Sequence, residues 1–283
     1  MQDQSFSFEF FPAKTEKSAE QLTQTSNELA KLNPSFFSVT YGAGGTTQDA
    51  TIETVTKIQK TTGISTAPHL SCIGSERQKI RELLHHYKEQ GVNRIVALRG
   101  DLPSGMLDIG DFNYAADLVE FIRAETGDHF QIEVAAYPEK HPQCKSYDID
   151  VDHFAAKIKA GADRAITQYF FNADAYFHFL DKLEKKQIDV PVLPGIMMIT
   201  NFEQMARFSD AIGAEIPRWL RKQFEAYGDD QESIQKLGTE FTTNMCQRLL
   251  DHGIPGLHFY SMNKAEPCKT IWNNLGLSEN KSV

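Results

Sequence analysis

The strongest constraint on this chain is an eightfold alternation of short β-rich runs with stretches of helical periodicity. The runs at 5–11 (SFSFEFF), 36–41 (FFSVTY), 65–72 (STAPHLSC), 94–99 (RIVALR), 131–137 (QIEVAAY), 164–170 (RAITQYF), 191–197 (PVLPGIM) and 256–262 (GLHFYSM) read as strands. Helices are predicted at 15–31, 48–61, 75–90, 114–125, 151–160, 174–186 and 201–212, with two more at 217–227 and 230–252 before the last strand, and a closing one at 265–275. Such alternation makes a parallel sheet with its helices outside. Eight units of about 30 residues suit an α/β fold of the closed (β/α)8 TIM-barrel kind better than an open sheet, with extra helices before the last strand. Ser75 and Asp150 are placed to cap their helices, and Gly91 and Gly161 to end them. Pro68 and Pro194 fall inside predicted strands, although proline cannot donate to a ladder. The glycine-rich GAGGTT at 42–47 follows a strand but lacks the last glycine of a dinucleotide fingerprint.

The 283 residues show no linker and no low-complexity tract, so one catalytic domain over 1–283 is expected, with no regulatory domain. A net charge of −9 argues against a nucleic-acid or acidic-membrane surface, though a local cation cluster could still hold an anionic cofactor. Cys72, Cys144, Cys246 and Cys268 form no CxxC pair, and His141 with Cys144 lacks a second ligand pair, so no metal site is expected. Residues 1–5 have neither a basic start nor an apolar core of a leader, and no run spans a bilayer, which makes the cytoplasm the expected compartment.

Working residues of a barrel lie at the C-terminal ends of strands and in the loops that follow. Those ends carry Glu9, Thr40, Tyr41, His69, Arg99, Asp101, Tyr137, His141, Gln168 and Tyr260. Glu9 sits between Phe8 and Phe10. It reads either as a desolvated acid with a raised pKa, suited to proton donation, or as a structural carboxylate paired with a strand-end Arg. Arg99 can clamp a phosphate and Gly100 lets a ligand approach the backbone; alternatively Arg99 and Asp101 tighten a turn before Pro103. Asp150, His153 and Lys157 share one helix face, which with His141 suits a pyrophosphate or ribose, or else simply faces solvent. Gln168, beside Tyr169, Phe170 and Phe171, suits the polar edge of a flat heterocycle or a core amide satisfied by backbone.

SFEFFP (7–12), SVTYGAGG (38–45), APHLSC (67–72), ALRGDLP (97–103), VAAYPEKHP (134–142), GADRAITQYFF (161–171), LPGIM (193–197) and LHFYSMNKAE (257–266), in that order and at strand ends, resemble the methylenetetrahydrofolate reductase family. The resemblance implies an FAD-dependent barrel that reduces 5,10-methylenetetrahydrofolate to 5-methyltetrahydrofolate with NADH or NADPH, feeding methionine synthesis. It implies Glu9 as the acid that opens the folate ring and Asp101 as the carboxylate between pterin and flavin. FAD contacts are implied at Tyr41, Ala43, His69, Arg99, Gly100, Asp101, Tyr114, Ala115, Tyr137, His141, Cys144, Asp150, His153 and Lys157. Thr40 and Gln168 fall where the nicotinamide is met, with Gln168 shared by folate; Gln204, Phe208 and Lys264 match further substrate contacts. Lys264 stands where bacterial relatives commonly have Arg, and Ala156 where an Arg is often found. The implied scheme is ping-pong, in a bacterial-type homotetramer. The alternatives are a flavin barrel oxidising another amine such as proline, an aldolase-type barrel, for which no strand-end lysine is present, and a non-catalytic binding barrel.

Overall fold

The computed structural model describes residues 4–41, 48–101 and 110–278; Ala43, the rest of the glycine-rich run at 42–47 and Pro103 lie outside them. The strands are β1 (Ser5–Phe10), β2 (Phe36–Val39), β3 (Thr66–Ser71), β4 (Arg94–Leu98), β5 (Gln131–Ala136), β6 (Arg164–Thr167), β7 (Val192–Leu193), β8 (Gly195–Met197) and β9 (Gly256–Tyr260). All the pairings among them are parallel, in the order β7-β6-β5-β4-β3-β2-β1-β9-β8. The two ends of that order, β7 and β8, are joined by the single residue Pro194, so they are one strand position and the sheet closes. The (β/α)8 barrel expected from the alternation is therefore present, with its seventh strand broken at the proline.

Both prolines mark a change of partner. Residues 66–68 of β3 pair with β2, and residues 69–71 pair with β4. Likewise β7 pairs with β6, β8 pairs with β9, and Pro194 O accepts the amide of His258 at 3.0 Å. A residue without an N–H is tolerated in a strand where one ladder stops and the next begins.

The helices are α1 (Glu16–Ala30), α2 (Gln48–Thr62), α3 (Arg77–Glu89), α4 (Ala115–Thr126), α5 (Tyr147–Lys159), α6 (Ala173–Lys185), α7 (Phe202–Ile212), α8 (Arg218–Ala226), α9 (Gln231–Asp251) and α10 (Ala265–Asn274). Two expected caps are displaced. Ser75 does not cap α3; Arg77 N donates instead to Asp111 Oδ2 at 2.8 Å, a carboxylate from the next loop. Asp150 lies inside α5, whose cap is Ser146, with Oγ accepting from Ile149 N at 3.3 Å. The local sequence offered an acceptable cap in each case, but a nearby side chain took the role. Gly91 and Gly161 do end their helices with positive φ, +72° and +113°.

Period-two alternation sorts β1. Phe6 and Phe8 pack outward on Trp272 of α10, with ring centroids 5.1 and 6.0 Å apart, and Phe8 and Phe10 also meet Phe37. The fully buried rings of Phe8, Phe10 and Phe37 each contribute about 1.5–3 kcal/mol. Phe36, Ala67, Val96, Ile166 and Leu193 form a separate buried cluster. Against Phe36 lies the Arg94 guanidinium, 4.3 Å from the ring centroid, and Arg94 pairs with fully buried Glu133. Burial pushes the Glu133 carboxyl up and pulls the Arg94 guanidinium down, each opposed by its partner. Among the described residues no helix is long and apolar enough to cross a membrane.

Candidate active site at the C-terminal mouth of the barrel

Glu9 points to the face opposite Phe8 and Phe10, and the partial desolvation expected of it is present. Its neighbours are two imidazoles. His69 Nε2 of β3 lies 3.3 Å from Glu9 Oε2, and His258 Nε2 of β9 lies 3.5 Å from the same oxygen. The Glu9 side chain is 16% exposed and that of His258 0%. Burial alone would raise the carboxyl pKa, but the charge and hydrogen bonding of His69 and His258 outweigh it and hold the group down at about 2. The expected raised pKa is thus reversed, as is the alternative pairing with an arginine: Glu9 is ionised at neutral pH and its partners are histidines.

Beside Glu9 the strand ends bring the other candidates together. Thr40 N donates to Phe10 O at 2.9 Å, and Tyr41 follows it. Tyr260 Oη donates to Thr167 O at 2.7 Å, and its pKa is pushed well above the usual 10 by burial first, then by the charges of Glu9, Tyr137 and Tyr169. Tyr137 is raised to about 12 by burial, then by Asp101 and Asp150, with Arg99 opposing. The field at His141 has the same members: burial lowers its pKa, Asp150 and Asp101 raise it, and Arg99 and Lys157 lower it. Glu9, Tyr260, Tyr137, Arg99, Asp101, His141, Asp150 and Lys157 therefore form one electrostatically continuous rim.

Local chemistry fixes each rim residue. Gly100 has φ +80°, and a Cβ there would fall 1.9 Å from Ser71 Oγ, so a larger residue is strained and must displace the Ser71 hydroxyl. Arg99 Nη2 donates to Gln143 Oε1 at 3.2 Å, while Arg99 Nε is buried with no hydrogen-bond partner. His141 N donates to Asp150 Oδ2 at 2.7 Å, which ties the loop after β5 to α5. Lys157 Nζ donates to Ala135 O at 2.5 Å, and burial pulls its pKa down to about 8. Tyr114, 52% exposed, stacks on His153 with centroids 5.2 Å apart, next to Ala115 at the start of α4. Cys144 is partly buried, with its carbonyl accepting from Lys140 Nζ at 2.9 Å. Gln168 follows β6, its Oε1 accepting the amide of Tyr169 at 3.0 Å.

The remaining candidates are more loosely placed. Gln204 and Phe208 sit exposed on α7, which is tied to the mouth by the 3.3 Å contact of Tyr169 Oη with Ser209 Oγ. Lys264 is exposed at the start of α10, and Ala156 is exposed on α5. Among the described residues no group of histidines, cysteines and carboxylates could hold a metal ion, and the cysteines are free.

The sequence reading missed Ser7, His258 and Asn263. Ser7 and Glu9 in β1 align with His258 and Tyr260 in β9, so a two-residue period applied to both strands would have found the first pair. Asn263 bridges the loop after β9 to Phe11, accepting from its N at 3.1 Å and donating to its O at 2.9 Å, which no local pattern signals.

The chain matches the family described as methylenetetrahydrofolate reductase over residues 1–276. It is 41% identical over 273 residues to the 5,10-methylenetetrahydrofolate reductase of Pectobacterium carotovorum subsp. carotovorum, and 40% identical over 273 residues to that of Escherichia coli (strain K12); each match covers 96% of this chain and 90% of the relative. A plant relative, methylenetetrahydrofolate reductase (NADH) 1 of Arabidopsis thaliana, is 36% identical over 292 residues, covering 99% of this chain and 49% of its own length. Among solved structures, a Clostridium thermocellum protein described as binding two copies of 5-methyl-5,6,7,8-tetrahydrofolic acid superimposes with a TM-score of 0.72. That match covers 98% of this chain and 96% of the other at 17% identity, and speaks to the fold alone. The family match over nearly the whole sequence, together with these relatives, establishes that the chain belongs to the methylenetetrahydrofolate reductase family.

Proposed function

We propose that this protein reduces 5,10-methylenetetrahydrofolate to 5-methyltetrahydrofolate, with FAD as resident cofactor and NADH or NADPH as electron donor, in a ping-pong cycle that feeds methionine synthesis. The observation that carries the reading is the ionised Glu9, flanked by two imidazoles, on a rim shared with the Arg99 to Lys157 cluster. The rim suits FAD on its own chemistry. Arg99 Nε is buried and unpartnered, Lys157 is a buried ammonium whose charge an anion would stabilise, and the Tyr114–His153 stack offers an aromatic platform. Arg99 and Lys157 would hold the diphosphate, with Tyr41, His69, Gly100, Tyr114, Ala115, Tyr137, His141, Cys144, Asp150 and His153 around the rest. Bound there, FAD supplies the hydride relay between the nicotinamide and the folate carbon.

The chain's own contribution is a proton and orientation. Glu9, ionised in the resting protein, takes up a proton and passes it to the folate nitrogen as the ring opens, and Asp101, exposed just after β4, is assigned to the pterin side. Thr40 and Gln168 meet the nicotinamide, and Gln168, Gln204, Phe208 and Lys264 receive the folate. The name of the plant relative favours NADH. Oxidation of another amine such as proline is disfavoured, because the relatives are named for folate reduction.

The test is optical. The purified protein is yellow or becomes so with FAD; the colour bleaches with NADH or NADPH and returns with methylenetetrahydrofolate. A protein that cannot be loaded with FAD, or whose bleached colour methylenetetrahydrofolate fails to restore, overturns the reading. A cytoplasmic homotetramer belongs to the same proposal, and light scattering of the loaded protein tests the assembly.

A further inference from the structure

We propose that Glu139 is a positioning residue: it latches the turn after α7 to the loop after β5, and so sets how the α7 face carrying Gln204 and Phe208 meets the folate. The inference rests on the proposed reading of that face as a folate contact. Glu139 Oε2 accepts the backbone amide of Glu215 at 2.9 Å, a bond between residues 76 positions apart. The loop that carries Glu139 also carries Tyr137 and His141 of the rim. The bond therefore joins the side of the mouth proposed for the cofactor to the helix proposed for the substrate.

α7 is an element whose placement needs such a latch. Its buried residues Met205 and Ala206, with Ala214 and Ile216 after it, pack on Tyr169 and Phe171 in an apolar cluster apart from the main core. The helix can therefore shift against the barrel without opening that core. Gln204 and Phe208, four residues apart, share one exposed helix face. Polar contacts fix the helix to the strand-end loops: Tyr169 Oη lies 3.3 Å from Ser209 Oγ, and Glu139 holds the turn at Glu215. Gly213, which ends α7 at φ +76°, lies against the same loop, since a Cβ there would stand 3.4 Å from Pro142 Cγ. Loop and turn close directly on each other. The crevice between them, lined by Tyr137, Glu139, Gln168, Tyr169, Ile212 and Gly213, holds about 10 Å³, at the lower limit for one water.

The loop after β5 is braced to aim Glu139. Lys140 has φ +133°, a backbone conformation that residues with a side chain rarely adopt and that persists only where surrounding contacts hold it. Those contacts run in two directions. Glu139 reaches Glu215 on one side, His141 N donates to Asp150 Oδ2 of α5 at 2.7 Å on the other, and Lys140 Nζ donates to Cys144 O at 2.9 Å. The turn at Lys140 thus sends neighbouring residues to two different helices. Burial pushes the Glu139 carboxyl up to about 7, opposed by the Glu215 amide and helped by the Glu215 charge, and the charge of Glu139 in turn raises Tyr169. The group therefore sits in the joint and not in free solvent.

The experiment uses the FAD-loaded protein and its Glu139→Ala, Glu139→Asp and Glu139→Gln variants. Stopped-flow absorbance follows bleaching by NADH and recovery with increasing methylenetetrahydrofolate. In Glu139→Ala, bleaching should be unchanged and the limiting recovery rate should stay within about twofold, while the half-saturating folate concentration rises on the order of threefold to tenfold, as the loss of one net hydrogen bond gives. Glu139→Gln keeps an oxygen that accepts the Glu215 amide and should recover most of the affinity. Glu139→Asp stops short of that amide and supplies the same reading should the alanine variant fail to fold. Equal losses in both half-reactions, a loss confined to the limiting rate, or a glutamine variant as impaired as alanine overturns the inference. Hydrogen exchange without folate gives a readout free of turnover: the amides of Glu215 and of α7 should exchange faster in Glu139→Ala or Glu139→Asp, with those of α5 unchanged. Undiminished protection at Glu215 and α7 overturns the inference. If the unsubstituted protein bleaches but never recovers with folate, the proposed function fails, and the exchange pattern still decides whether Glu139 holds α7.

Discussion

Lys157 gives the sharpest test of how the rim trades stability for ligand binding. Its pKa is pulled from 10.5 to about 8 by burial, with Asp150 opposing. At roughly 1.4 kcal/mol per pH unit, keeping this amine charged costs the folded protein about 3 kcal/mol. Lys157→Met removes that cost and forfeits the bond to Ala135 O, worth about 1 kcal/mol. The flavin-free variant should therefore be about 2 kcal/mol more stable at pH 7, a rise in Tm of roughly 4–8 °C. The folded pKa lies below the unfolded one, so the penalty is complete below pH 8 and is relieved as pH rises towards 10.5. The variant's advantage should accordingly shrink across that window. FAD should bind it more weakly, by about 1.5–3 kcal/mol for a lost charge-assisted hydrogen bond, or on the order of 10–100-fold in Kd. Thermal unfolding of flavin-free and loaded protein at pH 7 and 9.5, with flavin fluorescence for Kd, reads all three effects. A flavin-free variant less stable than the parent at pH 7, or a gain independent of pH, refutes the desolvation argument; unchanged FAD affinity removes Lys157 from the cofactor face.

Three further perturbations follow from the same geometry. Glu9→Gln should leave nicotinamide-driven bleaching intact while folate turnover falls by about 10²–10⁴-fold; normal turnover would end the assignment of Glu9. Because its carboxyl is held at about 2, Glu9 contributes stability above pH 4.5 that is lost as pH falls towards 2, so the substitution should also flatten acid unfolding in that window, and an unchanged slope counts against the histidine pairing. Gly100→Ala drives a Cβ into Ser71 Oγ at φ +80° and breaks the 2.9 Å bond from Ser71 Oγ to Arg99 O, costing about 2–3 kcal/mol; Ser71→Ala in the same chain should recover part of it, and a neutral Gly100→Ala disproves the crowding. Arg94→Met strands Glu133 inside the barrel at a cost of about 3–5 kcal/mol, measurable by urea unfolding, whereas Arg94→Met with Glu133→Leu should regain most of it; a single substitution as mild as the double would show that the pair is dispensable.

The barrel was legible because period-two and period-3.6 patterns alternate along the chain, and every predicted strand is found within a few residues of its place. The rim was legible because barrel topology says where strand ends must gather. What escaped was set by partners remote in sequence. Glu9 is desolvated as expected, but the direction of its pKa shift is set by His69 and His258, 60 and 249 positions away along the chain. Ser75 looked like a cap until Asp111 folded over it, and Asp150 looked like a cap but serves the His141 amide instead. In each case local chemistry identified a group in need of a partner, and tertiary structure chose a different one.

The two strand prolines have a mechanical consequence. Where Pro68 and Pro194 interrupt the ladders, the barrel divides into two arcs, one from β8 through β9, β1 and β2 into the first half of β3, the other from the second half of β3 through β4, β5 and β6 to β7. Ser7, Glu9 and His258 ride on the first arc. Arg99, Asp101, Tyr137 and Gln168 ride on the second or directly follow its strands, and His69 stands at the joint. The acid proposed at Glu9 and the residues proposed to hold the cofactor are thus mounted on separate arcs that meet at two points in the ladder. A small rotation at those points would change the gap between Glu9 and the Arg99–Lys157 side of the mouth while leaving each set of contacts intact, so that spacing is a property of the seams.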